Sequence, residues 1–324
     1  MERKTLIIRQ QEWGGFLCHL NYVLIHLDFY LGKNGVTAAW VDWSGQRANE
    51  DFYFGRPAVE NVWLHYFEPL NFPELPSTRL EAEEHLITGP RQLGSKLAYV
   101  TYKLNRRWRY RYHELYQEYV TLRPFLSERA SLIFQSRMAG RFCVGVHYRN
   151  PHHSHECLRQ IPQPEVFVAR AKKLLPAGRR VAVVLASDYE PAVDAFRAAF
   201  GEALIIQPDV VRAASFAQDQ VHHLPANWSL TLGEQVMVDC LLLSKCDVLL
   251  HVVSNVASAA AYFNPNLKLV YCETFIESLY GYLWAMLRTV YIVLRVELHN
   301  FPTLERWLKR SLRRVTREAP ASKD

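Results

Sequence analysis

The residues with the most chemical potential sit in one stretch, Cys143 to Glu156, "CVGVHYRNPHHSHE". Its first half alternates apolar residues like a buried strand, and its second half carries Arg149, His152, His153, His155 and Glu156 just after His147. Two further apolar runs also end on polar groups: "VVLASDYE" on Ser187 and Asp188, and "LLHVVSNVAS" on Ser254, Asn255 and Ser258. In a doubly wound α/β domain, ligands bind beyond the carboxyl ends of the strands, so three polar strand ends that neighbour one another would line one crevice. Arg149 offers a planar fork of donors suited to a diphosphate. The hydroxyls and backbone N–H groups from Ser254 to Ser258 open a helical run and form an anion site at its N-terminus. Asp188 can accept from a base with adjacent N–H donors, as guanine has. Each also has a plainer reading: Asp188, Ser254 and Asn255 as helix caps, and Arg149 as partner of a structural carboxylate.

The histidines do not have the spacing of a metal site. Adjacent imidazoles on an extended loop rarely chelate one ion, and neither an H-E-x-x-H pattern nor a Cys partner is present. A polar loop at the cleft is the expectation, with no metal. Neither G-x-G-x-x-G nor the P-loop pattern occurs, which argues against NAD and ATPase chemistry.

These ends need elements to position them. "RFCVGVHY", "RRVAVVLAS", "ALIIQP", "DVLLHVV" and "LKLVYCE" read as strands. "PEVFVARAKKLL", "EPAVDAFRAAFG", "LGEQVMVDCLLLSKC" and "NVASAAAYFN" between them read as helices. Near-continuous apolar strands alternating with helices predict a parallel sheet covered on both faces. Upstream, "KTLIIRQ" and "VTAAWVDW" flank a helical run that opens on Gly14-Gly15 and closes on Gly35, a second βαβ unit. The stretch from Phe52 to about Pro90 reads as loops and short helices, and residues 94–138 as two helices broken near Pro124. At 324 residues, two domains are expected.

Hydrophobic residues at 49% and charged residues at 22% are globular values. Six scattered Cys without a C-x-x-C predict reduced thiols and a cytoplasmic protein. The charged N-terminus does not have the apolar length of a signal peptide, and Arg288 and Arg295 interrupt the longest apolar run, so no membrane span is expected. The net charge of +6 suits an anionic ligand or surface. Near the C-terminus, residues 303–317 set Leu304, Trp307, Leu308, Leu312 and Val315 on one helical face among Lys and Arg. That pattern fits a docked basic helix or a peripheral contact with the inner membrane face. In "YKLNRRWRYRYHELY", Arg and aromatic residues interleave as in single-strand nucleic-acid binders. No nucleic-acid fold accompanies it, so an amphipathic helix is expected and no nucleic-acid partner.

"VGVHYRN…HE" resembles the "GVHxRxTD…E" segment of the α-1,6-fucosyltransferase family, which includes the nodulation-factor enzymes. "VVLASDYEPAVDAFRAAFG" is similar to its "ATD(D/E)P…F…FG" segment, and "GEQVMVDCLLLSKCDVLLHVVSNVASAA" to its "G…DxxxLSxCDxLVxxxSSxxS" segment. "EWGGFLCHLNYVLIHLDFYLGKNGVTAAWVDWSG" resembles its N-terminal region in bacterial members, as does "NVWLHYFEP". The segments keep family order over most of residues 6 to 275. The resemblance implies a GT-B fold, two Rossmann-like domains with parallel sheets facing across a cleft. Residues 1–139 would be the acceptor side, 140–275 the GDP-sugar-binding domain, and 276–324 C-terminal helices. It implies inverting, metal-independent transfer of a sugar, most often fucose, from a GDP-sugar to a glycan hydroxyl, as in surface polysaccharide synthesis. The donor is a substrate and no cofactor is implied. A lipid-linked acceptor would suit a membrane contact through 303–317.

Carried over by position, Arg149 holds the diphosphate, His147 supports the donor, Asp188 reads the guanine, Ser254 falls on the donor-site serine, and Glu156 on the proposed general base. Where relatives have "HYRGTDK" this chain has "HYRNPHH", so His153 replaces a lysine and is cationic only when protonated. The competing reading is a degenerate transferase that binds a nucleotide sugar or glycan without turnover.

Overall fold

The computed structural model describes residues 4–9, 15–32, 36–44, 61–72, 85–88, 104–151, 161–214, 229–252 and 254–272. Among them are two parallel sheets. The first has the order β2-β1-β3, from β1 (Lys4–Arg9), β2 (Val36–Asp42) and β3 (His85–Thr88). The second has the order β6-β5-β4-β7-β8, from β4 (Phe142–Tyr148), β5 (Val181–Ser187), β6 (Leu204–Ile205), β7 (Val248–His251) and β8 (Lys268–Tyr271). Every pairing is parallel, so each strand must return through a crossover. β4 is the switch point: β5 lies on one side and β7 on the other.

Two helices come from the N-terminal part, α1 (Phe16–Tyr30) and α2 (Trp63–Tyr66). α3 (Arg106–Tyr119) and α4 (Pro124–Ile133) follow, the latter running into a π turn at Phe134–Met138. The larger sheet is interleaved with α5 (Pro164–Leu174), α6 (Glu190–Phe200), α7 (Leu230–Ser244) and α8 (Asn255–Phe263). Their starts follow the sequence's own signals: Asn105, Ser229 and Ser254 cap α3, α7 and α8 through their side chains, and Pro opens α4 and α5.

The larger sheet is buried on both faces. Val144, Val146 and Tyr148 of β4 join a cluster with Phe167 of α5 and Phe196 of α6. Cys143 of the same strand joins the other cluster, with Leu243 and Cys246 at the end of α7. Gly145, Ala182 and Ala186 keep that second face low, which lets α7 lie close to the strands. The second cluster is continuous with the N-terminal sheet: Leu6, Ile8 and Leu24 share it with Tyr112 of α3, Leu126 of α4, Met237 of α7 and Tyr262 of α8.

Three expectations need correction. The first helix ends at Tyr30, and Gly32 (φ +71°) takes the left-handed turn expected of Gly35, which lies outside the described residues. The stretch read as loops and short helices contains β3, paired with β1 in four-residue register. "ALIIQP" is a strand only at Leu204 and Ile205, since the chain turns away before Pro208.

α7 approaches the α2 segment at Gly233. The buried Tyr66 hydroxyl lies where a Gly233 Cβ would project, and it donates to Leu230 O at 2.8 Å. Gly233→Ala should therefore destabilise the fold by about 1–3 kcal/mol through forced displacement of Tyr66, despite alanine's better helix propensity. A urea unfolding curve measures it, and a stabilised variant would contradict this packing.

Candidate functional site

β4 delivers His147 on the face that meets α8, and β7 leads to Ser254 beside it. Ser254 Oγ accepts the Ala257 N–H at 3.0 Å and shares a 3.0 Å hydrogen bond with His147 Nδ1. Both groups are buried, so this contact fixes the ring against the start of α8. Ser254 is thus the cap of α8, and the hydroxyl that opens the helix also orients the imidazole. Ser258 lies one turn further, fully buried, and its hydroxyl donates to Ser254 O at 3.1 Å. Asn255 is the first helical residue. Asn21 Nδ2 of α1 donates to its carbonyl at 3.2 Å and meets its Oδ1 at 3.3 Å, which ties the N-terminal unit to this helix start.

On the other side of β4, Asp188 follows β5 and Arg149 follows β4. Asp188 Oδ1 accepts the Asn150 N–H at 2.9 Å, and the Asp188 carbonyl accepts the Ala213 N–H at 2.8 Å. The cap alternative for Asp188 is set aside, because α6 is capped at Tyr189 with no side-chain bond. Asp188 instead anchors the peptide next to Arg149, which is half-buried. Ser187 Oγ accepts the Tyr189 N–H at 3.1 Å, stiffening the same turn. The structure therefore brings His147 to Ser254 at the start of α8, and Asp188 to the backbone of Asn150, next to Arg149. His153 and Glu156 lie outside the described residues, as do His152, His155 and the segment 303–317.

One acid went unassigned in the sequence. Asp239 of α7 lies within the "DxxxLSxCD" segment; it is partly buried, and desolvation pushes its pKa up to about 7. Gln207 Nε2, just past β6, donates to Asp239 Oδ1 at 2.5 Å and to Gln235 O at 2.8 Å. Gln207 Oε1 and Gln235 Oε1 are buried without partners. Burial with a perturbed pKa near strand ends is a site signal, but only tertiary structure reveals it. The same holds for His251 of β7, opposite His147 in register, held neutral with its pKa lowered to about 4 by burial.

The Arg-aromatic run is α3, an amphipathic helix whose Tyr112, Leu115 and Tyr116 are buried. Arg111 Nε bonds Asp28 at 2.7 Å, Arg109 Nη1 donates to Leu267 O at 2.7 Å, and Arg106 and Arg107 lie over Tyr110 and Trp108. An open basin of about 770 Å³ there is lined by Asp28, Arg106 and Trp108 and holds none of the strand-end residues. Among the described residues, no cluster of three His, Cys, Asp or Glu could hold a metal, and no helix is long and apolar enough to cross a membrane. Cys18, Cys143, Cys240, Cys246 and Cys272 are buried.

No protein-family model matches the chain, and no curated protein does. Among solved structures it is similar to a NodZ alpha-1,6-fucosyltransferase soaked with GDP-fucose (TM-score 0.51, 15% identity, 82% of this chain and 94% of that one). It is also similar to that enzyme co-crystallized with GDP (TM-score 0.52, 16% identity, 82% and 94%). A third is the fucosyltransferase NodZ from Bradyrhizobium (TM-score 0.51, 15% identity, the same coverage). The likeness shows a shared fold: the two α/β units are of the GT-B type.

Asp239 sets a pH dependence. Its folded pKa, about 7, lies above the ordinary carboxylate value of 3.8, so between the two the folded state keeps a proton that the unfolded state has lost. Stability should therefore fall as pH rises from about 4 to 7, by on the order of 1–4 kcal/mol from this group. Asp239→Asn, which keeps an acceptor for Gln207, should flatten that slope in urea midpoints taken at pH 5 and 7.5.

Proposed function

We propose that the chain is a glycosyltransferase that moves a sugar, fucose foremost, from a GDP-sugar to a glycan hydroxyl. The observation that carries the proposal is the convergence at the carboxyl end of β4, the switch point of the larger sheet. An arginine and the N-terminus of α8, a position suited to an anion, flank that end, in a fold shared with enzymes soaked with GDP-fucose or crystallized with GDP. The diphosphate would lie between Arg149 and the first turn of α8, with His147 held against that turn. The acceptor oxygen would attack the anomeric carbon as the bond to the diphosphate breaks. Glu156 would take the acceptor proton, and Arg149 would neutralise the departing GDP. Configuration would invert in this single displacement, and the family resemblance supports a step without a metal. Work on surface polysaccharide at the cytoplasmic membrane face is the setting that resemblance and the basic segment 303–317 favour.

Asp188 would read the guanine. The half-buried Asp239 favours a second placement of the base, against Gln207, Gln235 and that acid. A thermal-shift series with GDP, UDP, CMP and ADP tests the donor directly. GDP alone should raise the midpoint, by the equivalent of about 2.7 kcal/mol at a hundredfold excess over Kd. Arg149→Ala should weaken GDP binding by about 1.5–3 kcal/mol, the worth of charge-assisted hydrogen bonds, and so abolish most of that shift. An equal response to all four nucleotides would sink the proposal.

Turnover separates the enzyme from a degenerate binder. Wild-type protein should release GDP from GDP-fucose, and Glu156→Gln should slow that release at least about a hundredfold, the usual contribution of a general base, with GDP binding retained. Tight GDP binding with no release from any GDP-sugar would favour the binder.

A further inference from the structure

Resting on that donor reading, one residue outside the convergent set commands the geometry on the β5 side. Past β6 the chain turns back over the carboxyl end of β5, and Ala213 bridges it there: its N–H donates to Asp188 O at 2.8 Å, and its carbonyl accepts the Glu190 N–H at 2.9 Å. Beside it, the Arg212 side chain is only 8% exposed. Its guanidinium spreads over three backbone carbonyls: Nε donates to Ser187 O at 3.3 Å, Nη1 to Val210 O at 3.3 Å and Nη2 to Gln207 O at 2.7 Å. Glu190 Oε2 at 3.8 Å supplies an opposite charge, and Asp239 feels the guanidinium as a favourable field.

Ser187 precedes Asp188, and Gln207 is the hydrogen-bond partner of Asp239. One guanidinium thus spans the ends of two strands and is bonded next to both acids. A rigid fork suits this task, because its donors point in fixed, divergent directions, whereas an ammonium is a single point. Desolvating a guanidinium is costly unless its donors are used, and here every nitrogen is. We propose that Arg212 is a positioning residue for base recognition, holding Asp188, or in the second placement the Gln207–Asp239 pair, in the geometry that distinguishes guanine from other bases. It need not touch the nucleotide. Loss of its fork would let the β5 and β6 ends drift apart, and the edge read by hydrogen bonds would suffer before the diphosphate site at Arg149 and α8.

The test is base selectivity. Wild type, Arg212→Lys and Arg212→Ala are titrated calorimetrically with GDP and with ADP, and melted without ligand. The ratio of GDP to ADP affinity should fall about tenfold in both variants, or about 1.4 kcal/mol. ADP affinity, set by the diphosphate, should change far less. Arg212→Lys keeps the charge without the three-way fork, so it decides the matter if Arg212→Ala fails to fold. Lower melting temperatures with an unchanged ratio would reduce Arg212 to a structural residue and overturn the inference while leaving the donor reading intact. Wild type with no preference for GDP over ADP would overturn both.

Discussion

The hydroxyl of Ser254 lies between a helix start and an imidazole, and the geometry of the crevice depends on that position. Its oxygen satisfies one of the orphan N–H groups of α8, which fixes where the helix begins. The same atom meets His147 Nδ1, which fixes how the ring leaves β4. In a buried setting neither group can exchange its partner for water, so losing one contact would leave the other group unsatisfied. The two elements flanking the switch point are locked by a single atom. Asn21, reaching Asn255 from α1, carries that lock into the N-terminal unit.

The opposite flank is built on a different principle. There the backbone makes most of the bonds: Asn150 N–H to the Asp188 side chain, Ala213 N–H to its carbonyl, and the Arg212 fork to three more carbonyls. A flank held through main-chain groups tolerates change in sequence more readily than one held through side chains. The bond to Asp188 needs only the N–H of residue 150, which any residue but proline supplies, and proline comes one position later, at Pro151.

How far the sequence could be read follows from the same distinction. The strands of the larger sheet were legible because burial on both faces leaves unbroken apolar runs, and its helices because serine, proline and glycine punctuate them. β3 was not, since "HLIT" is a four-residue edge strand among charged and proline-rich sequence, and its existence rests on pairing with β1. Arg149, Asp188 and Ser254 were legible as polar ends of apolar strands, but their partners were not, because a backbone N–H has no sequence signature. Asp239 has no local signal of a role, since nothing in the sequence reveals that a carboxyl on a helix loses enough water to raise its pKa. Arg212 gave no signal at all: its three acceptors are carbonyls brought together only by the turn after β6.

Charge accounting then links the fold to the proposed chemistry. A diphosphate leaving group needs compensating positive charge where it departs. The start of α8 contributes about half an elementary charge through its aligned dipoles, in a place where water is scarce and the field correspondingly strong. His147 Nδ1 is engaged in holding that helix start. Arg149 is then the permanent full charge that the β4 end brings to the proposed diphosphate site, which is why its neighbour's N–H is clamped by Asp188. A guanidinium on an untethered loop would lose in side-chain and loop entropy much of what it gains by pairing with phosphate. The clamp removes that loss before any donor arrives.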